Sequence, residues 1–170
     1  MRKKTRKILP IQKLQSRIIS EKKKGKKIVL ANGIFDILHV GHVRYLNNAK
    51  EKGDILVVGL NSDRSARKNK GAGRPLMKEE DRAEIIASLS CVDYLTIFNE
   101  KRAIKLIHSI KPHYHCKGTD YTERNVPERE VVLSYGGKIC ITGDPKGHSA
   151  SEIISRLLRD HQKREKAPRR

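Results

Sequence analysis

The chain has 170 residues, with 38 Lys or Arg against 19 Asp or Glu and a formal net charge of +19. That length suits one domain with a real core and excludes two sizeable ones, and no stretch approaches the roughly 20 apolar residues that cross a bilayer. The charge is uneven: residues 1–27 hold 12 basic residues against one acid and residues 159–170 hold 6 against two, which leaves 20 against 16 over residues 28–158. The excess therefore rides on the ends, and the nearly balanced body argues against a dedicated nucleic-acid binder. The basic start lacks the uninterrupted apolar segment of a signal peptide, so a cytoplasmic protein is expected. Cys91, Cys116 and Cys140 are few, odd in number and far apart. They read as core thiols in a reducing compartment, with neither a disulfide framework nor a zinc knuckle.

In chain order, the first predicted element is a helix in which Ile11, Leu14, Ile18 and Ile19 share one face and dock on the body, leaving the Lys-rich end exposed. Short runs, most of them rich in Val and Ile, then predict five strands, at Lys27–Ala31, Ile55–Leu60, Val92–Phe98, His113–Lys117 and Lys138–Thr142. Helical spacing fills the gaps: Val43, Leu46 and Ala49; Ile85, Ile86 and Leu89; Ile104, Ile107 and Ile110; Val131, Val132 and Ser134. A last helix over Ser151–Leu158 carries Ile153, Ile154, Leu157 and Leu158. Alternating strands and helices predict an α/β, Rossmann-like, doubly wound five-stranded parallel sheet with helices on both faces. The division expected is a basic N-terminal segment with its docking helix at 1–26, the sheet domain at 27–160 and a basic tail at 161–170.

In such a sheet ligands bind beyond the carboxyl ends of the strands. Leaving the first strand there is Gly33–His42, "GIFDILHVGH", with two histidines three residues apart just as a helix starts. A helix amino terminus offers unpaired N–H groups and a positive dipole end, both of which attract phosphate. Gly41 admits an anion close to the backbone, and His39 and His42 add donors that can follow charge as it builds on a reacting phosphoryl group. The plain alternative is two helix-start histidines with no ligand.

GIFDILHVGH resembles the signature of the HxGH nucleotidyltransferase superfamily, which includes cytidylyltransferases and several adenylyltransferases. The further stretches "ANGIFDILHVGHVRYLNNAKEKGDILVVGLNSD", "GRPLMKEEDRAEIIASLSCVDY", "KGTDY", "EVVLSYGGKI" and "HSASEII" are similar, in order and spacing, to the D-glycero-β-D-manno-heptose 1-phosphate adenylyltransferases. The resemblance covers residues 10–160. It implies that ATP lies over Ala31, Asn32, Gly33, Ile34 and Phe35 with its phosphates on His39, His42 and Lys117, and that Gly41, Arg82, Gly118, Ser149 and Ser151 also face the nucleotide. Asp36, Asn61, Asp63, Arg74 and Asp120 would face the acceptor. Other uses stay open: Asn61, Ser62 and Asp63 as a polar cap, Arg82 in a salt bridge with Glu79 or a neighbour, Lys117 solvated at a Gly turn, and the serines as helix caps. The family usually has Thr-Asn-Gly-Cys-Phe-Asp at Ala31–Asp36 and Ser-Thr-Thr at Ser149–Ser151, so two hydroxyls are absent here. The strongly basic ends are also atypical.

What the resemblance implies is transfer of AMP from ATP to a sugar 1-phosphate. Mg²⁺ would arrive bound to the nucleotide, since no carboxylate cluster builds a metal cage. A separate sugar kinase would act upstream, because the chain resembles the stand-alone enzyme and lacks the fused kinase domain of bifunctional members. Homo-oligomers are known in the family, and nothing in the sequence fixes a number. Transfer of CMP to glycerol 3-phosphate or a similar alcohol phosphate, or of AMP to FMN, fits the same motif. A polyanion or RNA binder acting through the basic ends is the reading from another class.

Overall fold

The computed structural model describes residues 6–144 and 150–165. Five strands, β1 (Ile28–Gly33), β2 (Ile55–Asn61), β3 (Tyr94–Phe98), β4 (Tyr114–Lys117) and β5 (Lys138–Ile141), form one parallel sheet in the order β3-β2-β1-β4-β5. The helices are α1 (Ile11–Lys23), α2 (Val40–Lys50), α3 (Asp63–Lys70), α4 (Glu79–Ser88), α5 (Ile104–Ile110), α6 (Arg129–Leu133) and α7 (Ala150–Glu165). Chain order reverses between β1 and β4, and the carboxyl ends of these two strands mark the switch-point crevice at which such sheets bind ligands.

Both sheet faces are covered, which is why the central strands read as continuous apolar runs. On one face Val29, Ala31, Leu56, Val58, Leu60 and Leu95 pack with Leu46 and Ala49 of α2 and Ala83 and Ile86 of α4. On the other, Ile28, Leu30, Val57 and Phe98 pack with Leu14 and Ile18 of α1, Leu106, Ile107 and Ile110 of α5, and Val132 of α6. Gly59 allows the second layer to close: a Cβ there would lie 2.6 Å from the Leu106 side chain. Among the described residues no helix is long and apolar enough to cross a membrane.

Four details depart from the expected pattern. α1 docks by Leu14 and Ile18, but Ile19 is 50% exposed and lies outside the buried stripe. The Lys-rich end is not wholly solvated, because Lys22 donates to the carbonyls of Ile110 (2.8 Å) and Lys111 (2.6 Å) at the end of α5. α3 was not foreseen; its sequence, DRSARKNK, has no apolar period and buries only Ser65 and Ala66. Finally α7 runs on to Glu165 with Leu157 and Leu158 exposed.

The α1 docking makes a contrast that unfolding can measure. Leu14→Ala is expected to cost about 3 kcal/mol, as for other fully buried leucines. Ile19→Ala should stay within about 0.5 kcal/mol. Urea denaturation of the two variants checks the register of the helix.

Candidate active site

The site starts where β1 ends. After Gly33 the chain turns through Phe35, whose φ of +48° lies in the left-handed region that non-glycine residues seldom occupy. That conformation puts the Phe35 ring in the core, edge-on to His42 at 5.2 Å between centroids and stacked on Tyr45 at 6.3 Å. The next residue, Asp36, is also buried. Its carboxylate accepts from the backbone N–H groups of Leu76 (2.8 Å) and Met77 (3.0 Å) and pairs with Arg74 at 2.6 Å. The loop leaving β1 is thereby tied to the loop that precedes α4.

One guanidinium completes the wall on that side. Arg82 of α4 is 1% exposed, yet its donors are engaged. Nε donates to the Met77 carbonyl (3.0 Å), Nη1 to the carbonyls of Asn61 (3.0 Å) and Ile34, and Nη2 to the Asp63 carboxylate (2.7 Å). Asn61, at the end of β2, donates inward to Ser65 Oγ (2.8 Å). Ser62 caps α3 by accepting from the Ser65 N–H, and Glu79 accepts from the Asp63 N–H. The Asn61–Asp63 turn thus takes the polar-cap use, and the acidic partner of Arg82 is Asp63. Beside this wall Asp63, Arg67, Gly73, Arg74 and Pro75 line a cleft of about 200 Å³.

α2 presents the histidines. His39 is its extended N-cap residue, and His42, one turn in, stacks on it with ring centroids 3.8 Å apart. Burial, then the neighbouring His39 ring, push the His42 pKa down to about 4, with the Ile37 carbonyl opposing. His42 is therefore neutral at pH 7. Gly41 is the second residue of α2, in the first turn, where helical N–H groups lack intrahelical partners.

The facing side is the end of β4. Lys117 is buried, 3.4 Å from Asn32 Oδ1 and 3.6 Å from the Glu128 carboxylate, with Nζ 4.7 Å from the centre of the Tyr121 ring. Burial lowers its pKa and Glu128 opposes that shift. A Cβ built on Gly118 would meet nothing within 4 Å, so open space lies above this turn. Tyr45 links the two sides by donating to the Cys116 carbonyl at 2.7 Å. Asp120 is exposed beyond the turn. Ser149 and the side chain of Ser151 lie outside the described residues.

At the carboxyl end of the sheet stand Asn32 and Gly33 at the end of β1, Ile34 and Phe35 in the turn that follows, His39, Gly41 and His42 at the start of α2, and Lys117 and Gly118 at and after the end of β4. Arg74, Arg82, Asn61 and Asp63 form one wall through bonds to each other and to the loops. Sequence reasoning missed Tyr45, His115, Tyr121 and Glu128, which touch the site residues through the fold. Only the two-residue alternation of β4, which puts His115 and Lys117 on one face, could have pointed to any of them. Neutral donors, a helix amino terminus and a lysine around one opening can hold a polyphosphate and stabilise charge that develops on it.

Comparison with known proteins is consistent in direction. A family model described as cytidylyltransferase-like matches residues 30–156. The bifunctional protein HldE of Geobacter metallireducens is 49% identical over 153 residues, which cover 90% of this chain and 31% of that protein. HldE of Helicobacter pylori is 45% identical over 155 residues, 91% of this chain and 32% of that protein, so the chain spans about a third of the length of these relatives. Among solved structures, the lipopolysaccharide core biosynthesis protein from Thermoplasma volcanium superposes with a TM-score of 0.62 at 32% identity, covering 72% of this chain and 100% of that one. A pantoate-beta-alanine ligase from Francisella tularensis shares the fold at a TM-score of 0.58 and 20% identity, covering 85% and 68%.

Two measurements test this wall and floor. Arg82→Met leaves Asp63 and three carbonyls, those of Met77, Ile34 and Asn61, without their donor and is expected to cost about 3–5 kcal/mol in denaturant unfolding. His42 resists protonation when folded, so its contribution to stability is complete above pH 6.5 and falls as the pH drops towards 4. Between pH 6.5 and 4.5 the wild type should lose more stability than His42→Asn; equal losses would place the responsible proton elsewhere.

Proposed function

Because the chain belongs to the cytidylyltransferase-like family, we propose that it is a nucleotidyltransferase that moves AMP from ATP to a sugar 1-phosphate, giving an ADP-sugar and pyrophosphate. The acceptor proposed is D-glycero-β-D-manno-heptose 1-phosphate. Support comes from the likeness to the HldE proteins across nearly the whole chain and to the lipopolysaccharide core biosynthesis protein. The observation that carries the reading is the placing of His39 and His42 at the start of α2 in the switch-point crevice, with Lys117 at the end of the strand across it.

In this mechanism a phosphate oxygen of the acceptor attacks the α-phosphorus of ATP in line. The bond from that phosphorus to the β-phosphate oxygen breaks, and pyrophosphate leaves with no covalent enzyme intermediate. The first N–H groups of α2 and the neutral His42 donate to phosphate oxygens as negative charge shifts on to the leaving group. Lys117, held between Asn32 and Glu128, supplies positive charge to the same group from the other side. Gly118 leaves room for the phosphates. Arg82 works indirectly, fixing the ends of β1 and β2 through Ile34 and Asn61, while Arg67 and Arg74 flank the cleft suited to an anionic acceptor.

Among the described residues no group of three or more His, Cys, Asp or Glu is placed to hold a metal ion. We assign magnesium to the ATP substrate: arriving with the nucleotide, it would balance negative charge on the departing pyrophosphate. The anomeric phosphate of the acceptor has to be installed beforehand by a phosphoryl transfer.

The test is pyrophosphate release with Mg²⁺ and either ATP or CTP, against heptose 1-phosphate, other sugar 1-phosphates, glycerol 3-phosphate and FMN. Release with ATP and heptose 1-phosphate alone is the expected result, and His42→Ala should lower it by about 10²–10³. Release with CTP and glycerol 3-phosphate, or with FMN, would move the acceptor while keeping the mechanism. No release with any pair would overturn the reading.

A further inference from the structure

His115 lies on β4 with no surface exposed, two residues before Lys117 and on the same sheet face. Its Nε2 is 3.0 Å from Asn32 Oδ1, the same oxygen that the Lys117 ammonium approaches at 3.4 Å. Its other ring nitrogen, Nδ1, is buried with no hydrogen-bond partner. Nothing in the proposed chemistry uses this ring, and a buried imidazole with one nitrogen unsatisfied costs stability.

The donors and acceptors around Asn32 leave a single consistent arrangement. An ammonium can only donate, so the Asn32 atom that faces Lys117 has to be the carbonyl oxygen. His115 meets the same oxygen and so must donate to it, which puts its proton on Nε2 and leaves Nδ1 bare. Were the Asn32 amide reversed, its NH₂ would point at the ammonium, and His115 would carry a buried Nδ1–H with nothing to receive it. With Oδ1 held by two donors, the Asn32 nitrogen is the end left to meet a ligand. Asn32 itself is half-buried at the end of β1, beside the crevice.

We infer that His115 is a positioning residue: its Nε2–H locks the Asn32 side chain so that the amide NH₂ faces the crevice as a donor to a phosphate oxygen of the bound nucleotide. This rests on the nucleotidyl-transfer reading for the ligand, while the lock itself rests on geometry alone. The pairing gives His115 a reason to sit in an otherwise apolar layer. It also makes Asn32 a rigid donor, where a solvated amide would populate both orientations.

The experiment has two arms. In the first, ¹⁵N NMR of the full chain at pH 7, with the His115 signals assigned by their loss in His115→Gln, reads the tautomer; protonated Nε2 is expected, and protonated Nδ1 overturns the lock. In the second, calorimetric titration with ATP and Mg²⁺ compares the wild type with three variants. His115→Leu removes the donor and the orphaned acceptor together, so its thermal midpoint should hold while ATP affinity falls about tenfold, the scale of one lost hydrogen bond. His115→Gln, whose amide can still donate, should stay within about threefold of wild type. Asn32→Asp keeps an acceptor for both donors but turns an oxygen towards the phosphate, and should bind ATP more weakly than either. ATP affinity unchanged in His115→Leu overturns the proposal. A wild type that binds neither ATP nor CTP sinks the nucleotidyl-transfer reading, and the tautomer then decides the lock by itself.

Discussion

The active end of this fold hangs on one buried guanidinium. Arg82 reaches from α4 to the carbonyl just past the end of β1, to the last carbonyl of β2 and to the carboxylate that begins α3, so four chain segments share one rigid, planar set of donors. Burying such a charge is costly, and the cost is offset only because nearly every donor finds an oxygen and an anionic partner lies at 2.7 Å. A lysine has the charge but not the fork, and could not hold Ile34, Asn61 and Asp63 together. The positions of Phe35 and Asp36, and through Phe35 the packing of His42, follow from where this anchor fixes the end of β1.

The crevice is also electrostatically unusual for so basic a chain. Around the opening, burial favours neutral forms: His42 is held unprotonated, and burial pushes the Lys117 ammonium towards losing its proton while Glu128 resists. The Lys117 ammonium is held between Asn32 Oδ1 and the Glu128 carboxylate, which offsets its charge.

Much of the fold could be read directly. The strands β1 and β2 were legible because both sheet faces are covered, so that their sequences run almost continuously apolar until the polar residue at or near the carboxyl end. α3 was not legible, since DRSARKNK has no apolar stripe; it is held by the Ser62 cap and by tucking Ser65 and Ala66 under the β2 end. Ile19 continues the apolar composition of α1 but falls beyond the arc that α5 covers. In the site, the histidines and Lys117 were visible because each follows a strand end within a short motif. Tyr121 and Glu128 were not, because they reach Lys117 from separate elements and no local spacing encodes that meeting, while His115 shares a β4 face with Lys117 but meets its partner Asn32 across to β1. Arg82 stood out as a cation, but its carbonyl partners are invisible to side-chain patterns.

The two borders of the sheet are finished differently. Along β3 the short stretch before α1 lies against the strand: Leu95 donates to the Lys7 carbonyl and Leu9 donates back to Leu95, both at 2.8 Å, with an isolated bridge from Ile8. Backbone groups that would otherwise stand open are thus occupied by the chain's own basic leader. β5, at the opposite border, is only four residues long and starts with the exposed Lys138. A short, charged border is a poor template for a foreign strand. The stretch Lys7–Leu9 therefore covers part of the longer and more apolar border with the chain's own backbone, and loosening it would bare the Leu95 N–H and carbonyl to a foreign strand.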